Sequence, residues 1–207
     1  MRDVRAVLIG GTSNTGKSTV AQAVAERLGF EHRSTDGLAR HPGRPWRTPG
    51  HEVPPHVAEH YATLTTDELI DSVLAHYERL WPRVEELVTA AAARTTGPGL
   101  VLEGSALRPE RVARLALPRT AAVWLTAEAT VVRDRVRAAG RYGEAADGER
   151  LLMDRFLART GRYQELMVEA VDALGLDRID VGALRTVDEA ADAVLAAVAR
   201  QGDTPGP

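Results

Sequence analysis

Residues 8–19 read LIGGTSNTGKST, and this stretch decides the fold. It contains Lys17, the single lysine among the 26 Lys and Arg residues of the chain. Arginine presents a broad planar fork, whereas lysine is a compact ammonium on a flexible stem. A position that keeps the ammonium in so arginine-rich a sequence has room for a point charge and not for a fork.

The neighbours of Lys17 indicate what that charge meets. Gly11, Gly16, Lys17 and Ser18 fit G-x-x-x-x-G-K-[ST], the phosphate-binding loop pattern. Glycines let the backbone curl so that the N–H groups of Thr12, Ser13, Asn14, Thr15 and Thr19 can point inward around phosphate oxygens. A helix starting near Lys17 adds its positive dipole end. In that geometry Lys17 reaches the β- and γ-phosphates and the Ser18 hydroxyl ligates Mg²⁺. The flanks agree: VRAVLIG before the loop is a short apolar run of strand type. After it, Val20, Ala21, Val24, Ala25 and Leu28 recur at helical spacing up to a stop at Gly29.

The chain has 207 residues, 44% hydrophobic and 27% charged, which suits one well-buried domain. A net charge of −3 gives no reason to expect nucleic acid or an anionic membrane as partner. Zero cysteines exclude disulfides, thiolate catalysis and Cys-ligated zinc, and they fit a reducing, cytoplasmic setting. The first apolar run is too short for a signal h-region or a membrane span. The tail QGDTPGP (201–207) has the composition of a disordered end.

Apolar strand candidates fall at 6–9, 99–104, 121–126 and 177–181, with FEHRST (30–35) as a poorer, edge-type strand. Helical patterns separate them, which predicts alternating β and α units around a parallel sheet. The longest helical pattern runs from Leu69 to Ala91 with Pro82 inside it, where a kink or break is expected.

GGTSNTGKST, STD closing the second strand, LVLEG as the third, and an Arg-rich helix running into a Gly/Ala-rich stretch together resemble the P-loop small-molecule kinases. The opening motif and LEGSALRPE look most like the 2-phosphoglycerate kinase and chloramphenicol phosphotransferase side of that group. The resemblance implies an α/β P-loop NTPase fold, a five-stranded parallel sheet of order 2-3-1-4-5 flanked by helices, with a mobile lid. It implies one domain over residues 1–200, with the acceptor-binding region at 37–65 and the lid at 138–150. It also implies Mg-ATP as phosphoryl donor and a small-molecule acceptor, in a monomer or homodimer. With Lys17 the sole lysine there is no guanine-reading Asn-Lys-x-Asp pattern, which favours ATP over GTP.

Site residues follow from the same likeness. Asp36, beyond the end of the second strand, is placed to hold or deprotonate an acceptor hydroxyl; it can equally cap the helix start before GLAR. Glu103 stands where P-loop proteins carry a Mg²⁺-holding acid, directly or through water, with Glu in place of the usual Asp. Arg108 can bind an acceptor anion or lie on a solvated turn. Arg133, Arg137 and Arg141 share one helical face, and in similar kinases lid arginines close over the phosphates, Arg141 then acting on charge that spreads in the transition state. Arg159 and Arg162 are weaker alternatives after the lid. The Pro- and Gly-rich loop 37–55 reads as the acceptor loop, with Arg40, Arg44 and Arg47 suiting an anion and Trp46 suiting a ring. HVAEH (56–60) formally matches an inverted zinc-protease signature. Without an evident third ligand it reads as a polar helix face beside the acceptor pocket. The reaction implied is transfer of the γ-phosphoryl of Mg-ATP to a small-molecule hydroxyl. A nucleoside or nucleoside-monophosphate kinase, and a nucleotide-dependent switch or ATPase, are the alternatives.

Overall fold

A strand of aliphatic side chains and glycine, with no polar face, belongs in the middle of a sheet covered on both sides. β1 (Ala6–Gly11) is such a strand, and all of it is buried. In the computed structural model, which describes residues 4–202 apart from 40–42, 49, 51 and 185, β1 lies between two parallel neighbours. These are β3 (Leu100–Glu103) and β4 (Thr120–Thr126). β2 (Glu31–Ser34) pairs outside β3, and β5 (Arg178–Asp180) outside β4. The five-stranded sheet is parallel throughout and ordered 2-3-1-4-5, as the resemblance implied. β2 and β5 are the partly exposed edges, which explains their weak apolar signal in the sequence.

The register sets which chain segments share one edge of the sheet. Ile9 is level with Glu103, and Glu103 with Ser34. The chain therefore leaves β1 into the phosphate loop, β2 toward Asp36 and β3 just past Glu103 at one edge of the sheet. Ligands of open α/β sheets bind at that edge.

Two helical layers close the faces. Val7, Ile9, Val101, Val123 and Leu125 pack with α1 (Lys17–Leu28) and α7 (Val187–Gly202). Ala6, Leu8, Leu100, Leu102 and Trp124 pack with Trp81, Val84 and Val88 of α3 (Thr66–Ala93), and with Met167 and Val171 of α6 (Asp147–Ala173). α4 (Pro109–Leu115) adds Val112 to this second layer. α2 (Pro55–Thr63) and α5 (Ala129–Ala139) pack on the N-terminal half of α6 through Val57, Tyr61, Val132, Val136, Met153 and Phe156.

α3 passes through Pro82 as one 28-residue helix, so the break does not occur. Leu80, Trp81, Val84 and Val88 on either side of Pro82 are buried and hold the axis together. A reciprocal capping box starts the helix: the Glu68 amide donates to the Thr65 hydroxyl at 3.3 Å, and the Thr65 amide donates back to the Glu68 carboxylate at 2.8 Å. Among the described residues, no helix is long and apolar enough to cross a membrane.

Leu102 is fully buried on a sheet face covered by α3. Leu102→Ala should cost about 3 kcal/mol by transfer and cavity terms. Leu151→Ala, at a side chain 48% exposed, should cost under about 0.5 kcal/mol. Urea titrations of the two variants check the contrast, with m unchanged.

Candidate functional site

The loop between β1 and α1 is shaped by its backbone. Gly16 occupies the position before α1 at φ 91°, a left-handed conformation costly for a residue with a Cβ. No side chain caps α1 and its first turn carries no acid, so nothing from the chain competes for the first N–H groups. The Thr12 carbonyl accepts from Lys17 Nζ at 2.6 Å and from the Thr15 hydroxyl at 3.0 Å. Gly11 and Thr12 are buried beneath the loop, while residues 13–19 line a cleft of about 1090 Å³.

Lys17 is buried at the floor of this cleft, and burial pushes its ammonium below the ordinary lysine value. Glu103 and then Asp36 oppose that shift, while Arg44 adds to it. The Ser18 hydroxyl donates to Glu103 at 3.0 Å. These two oxygens, one neutral and one anionic, suit a hard cation that takes its remaining ligands from phosphate and water, as Mg²⁺ does. Among the described residues no cluster of three or more His, Cys, Asp or Glu could hold a metal.

Asp36 lies exposed in a 3₁₀ turn, Thr35–Gly37, where Ser34 takes the capping position and accepts from the Asp36 amide at 3.2 Å. The capping role is thus filled by Ser34, and the Asp36 carboxylate stands at the cleft wall. Its charge is felt by Lys17, by His76 and by Tyr77, whose phenol burial pushes up to about 12. Arg44, Leu80, Ser105 and Phe156 line the same cleft. Val181, Leu184, Thr186, Val187, Ala190 and Arg135 complete the lining.

Several expected contacts are not made. Trp46 does not face the cleft: it is 1% exposed and packs edge-on against Phe156 at 4.9 Å between ring centres. Arg108 precedes α4 and donates to Glu78 at 2.8 Å, and the same carboxylate also binds Arg111, so its charge is spent on tying α4 to α3. Arg133 pairs with Asp134 and Arg141 with Glu144, both on the surface. Arg137 stacks over Tyr142 at 4.5 Å and approaches Asp154. None of these three lines the cleft. Arg40 lies outside the described residues.

The arginine of α5 that does reach the loop is Arg135, whose guanidinium donates to the Asn14 carbonyl at 3.1 Å. Spacing does not single it out: Arg133 is next to Val132 and Arg135 next to Val136, the two buried residues of α5, so the two arginines flank the buried face on opposite sides, and α5 ends at Ala139, before Arg141. His76, Tyr77 and Phe156 were hidden inside apolar helical patterns that also fill the core. The Asn14 side-chain amide is buried without a partner. A second unpaired group is Arg159, only 6% exposed, its guanidinium over Phe156 at 4.7 Å and Tyr61 at 5.9 Å. Its Nε has no hydrogen-bond partner, and Arg159 forms no ion pair among the described residues.

Arg135→Ala should weaken binding of a Mg²⁺-bound non-hydrolysable ATP analogue about tenfold, the worth of one charged hydrogen-bond donor. Arg133→Ala should change it less than about twofold. Calorimetry on the two variants decides which face of α5 meets the nucleotide.

Comparison with known proteins agrees with this architecture. A family model described as an AAA domain matches residues 7–154. Among solved structures, a sugar kinase from Janibacter sp. HTCC2649 superposes with a TM-score of 0.55 at 20% identity, covering 96% of each chain. Shikimate kinase from Aquifex aeolicus VF5 gives 0.52 at 14% identity over 96% of this chain and 98% of that one. An uncharacterized protein from Eubacterium ventriosum ATCC 27560 gives 0.52 at 15% identity over 96% and 99%. A search of curated proteins finds no match. With a match over more than two thirds of its length and this sheet order, the chain belongs to the AAA-domain family and has the fold of the P-loop small-molecule kinases.

Proposed function

We propose that this protein transfers the γ-phosphoryl group of Mg-ATP to a hydroxyl of a small, anionic acceptor. The observation that carries the reading is the meeting, in one cleft, of Lys17, the Ser18–Glu103 pair and Asp36. Phosphoryl transfer needs little covalent help from protein; it needs alignment and compensation of charge on the equatorial oxygens. The loop amides and Lys17 compensate charge on the phosphates. Ser18 and Glu103 would hold Mg²⁺, which when bound neutralises and orients the phosphate oxygens. Arg135 and the apolar walls at 181–190 suit the nucleoside end.

Asp36 holds the acceptor hydroxyl. As the acceptor oxygen bonds to the γ-phosphorus, the bond from that phosphorus to the β–γ bridging oxygen breaks and ADP leaves. The hydroxyl proton passes to the Asp36 carboxylate. The acceptor's anionic character rests on Arg44 at the cleft wall.

The test is ADP release from wild type and Asp36→Asn across a panel of small hydroxy acids, sugar acids and nucleosides, beside nucleotide affinity by calorimetry. Asp36→Asn should keep Mg-ATP affinity within about threefold and lose about 10²–10⁴ in transfer to the best acceptor. Loss of nucleotide binding in the same variant would place Asp36 in the metal site. No acceleration of ADP release by any panel member would favour a nucleotide switch over a kinase. A nucleoside as the sole effective acceptor would contradict the anionic assignment.

A further inference from the structure

Trp46 belongs to a segment whose other described residues are largely at the surface; Arg44, Arg47 and Thr48 are all exposed. Yet Trp46 is buried, and its indole N–H has no partner, so packing alone sets its seat. One neighbour is Phe156, which also lines the cleft. Another is Gly140, directly after the last residue of α5. A Cβ placed on Gly140 would stand 2.3 Å from Met153 Sδ and 3.3 Å from both Cβ and Cγ of Trp46. Gly140 has φ −89° and ψ 1°, which other residues can adopt. Glycine is needed there for the close approach of Trp46 and Met153.

The same two segments meet again on either side of this contact. Arg47 Nε bridges Glu52 at 3.3 Å and Glu149, in the first turn of α6, at 3.0 Å. Arg155 of α6 donates to the Leu64 carbonyl after α2. Arg150 donates to the carbonyls of Tyr142 and Gly143, holding the α5–α6 turn onto α6. Arg44, which lines the cleft, has its guanidinium 6.0 Å from the Trp46 ring centre, at the reach of a cation–π contact.

We infer that Trp46 is a positioning residue that locks the acceptor segment to the start of the α5–α6 turn, so that Arg44 and Arg135 enter the cleft as parts of one moving body. The turn cannot shift at Gly140 without displacing Trp46. α5 ends one residue before that contact and carries Arg135 to the phosphate loop. Nucleotide drawn onto Arg135 thus moves the base of the segment that holds Arg44. Acceptor drawn onto Arg44 moves α5 in return, since such coupling is reciprocal. The role of Arg44 rests on the phosphotransfer reading of the cleft; the link between nucleotide and Trp46 needs only nucleotide binding.

The experiment uses full-length protein labelled with 5-fluorotryptophan and observed by ¹⁹F NMR. The chain has three tryptophans, and the Trp46 resonance is the one lost in Trp46→Phe. Trp81 and Trp124 lie in the core cluster on the other sheet face and serve as references. On titration with Mg²⁺ and a non-hydrolysable ATP analogue, the Trp46 resonance should move with the midpoint measured by calorimetry, while Trp81 moves less than a third as far. Gly140→Ala, which wedges the contact, should keep nucleotide affinity within about threefold and reduce the Trp46 displacement by at least half. A stationary Trp46 resonance while nucleotide binds overturns the inference, and this arm needs no variant beyond the one used for assignment. An undiminished Trp46 response in folded Gly140→Ala overturns it too. Those outcomes leave the phosphotransfer reading standing. A wild-type protein that binds no nucleotide removes both.

Discussion

A buried ammonium is the constraint on which the rest of this structure depends. Taking the Lys17 charge out of water is expensive, and the chain offsets it with a carbonyl at 2.6 Å and with two carboxylates, Glu103 and Asp36, acting from other strands. The compensation is incomplete, since burial still outweighs it. A site left short of negative charge in this way is prepared for polyphosphate. A compact ammonium seated on one carbonyl fits such a site better than a broad guanidinium fork would.

Meeting that constraint requires three chain segments, far apart in sequence, to end at one level. The 2-3-1-4-5 order supplies this by placing β1 next to β3 and β3 next to β2, with Ile9, Glu103 and Ser34 in register. Each of these strands then contributes one charged group just at or beyond its carboxyl end. Lys17 and Glu103 are buried, so their mutual attraction acts in a setting of lower dielectric than water, while Asp36 acts from the exposed wall. Arginines enter from the two segments outside the sheet, Arg44 before α2 and Arg135 on α5.

Features resting on local chemistry were legible in the sequence. The loop pattern, the strand before it and the helix after it follow from glycine geometry and apolar periodicity. That Asp36 and Glu103 would stand together at one edge of the sheet was legible because each sits at a recognisable strand end. Residues serving two masters were not. Tyr77 and Phe156 lie in apolar helical patterns and read as core, and both are core and cleft wall at once. Trp46 misled in the opposite direction, since a tryptophan amid Pro, Gly and Arg resembles a ligand platform while tertiary packing draws it inside. The stripe at 133, 137 and 141 does not form, because α5 ends at Ala139 and Arg141 lies beyond it at positive φ, so even spacing continued a helix that the chain does not. Pro82 shows the limit of a local breaker, because buried neighbours on both sides outweigh the hydrogen bond it removes.

The sole lysine makes the central claim directly measurable, because [¹⁵N]lysine labelling yields a single side-chain Nζ signal. Titrating that signal without ligand and with Mg²⁺ and a non-hydrolysable ATP analogue reads the charge balance of the site itself. The account predicts that Lys17 titrates below the ordinary lysine value of 10.5 in the free protein, and that bound nucleotide raises it as phosphate oxygens replace the missing negative charge. An ordinary titration in the free protein, unmoved by saturating nucleotide, would contradict it.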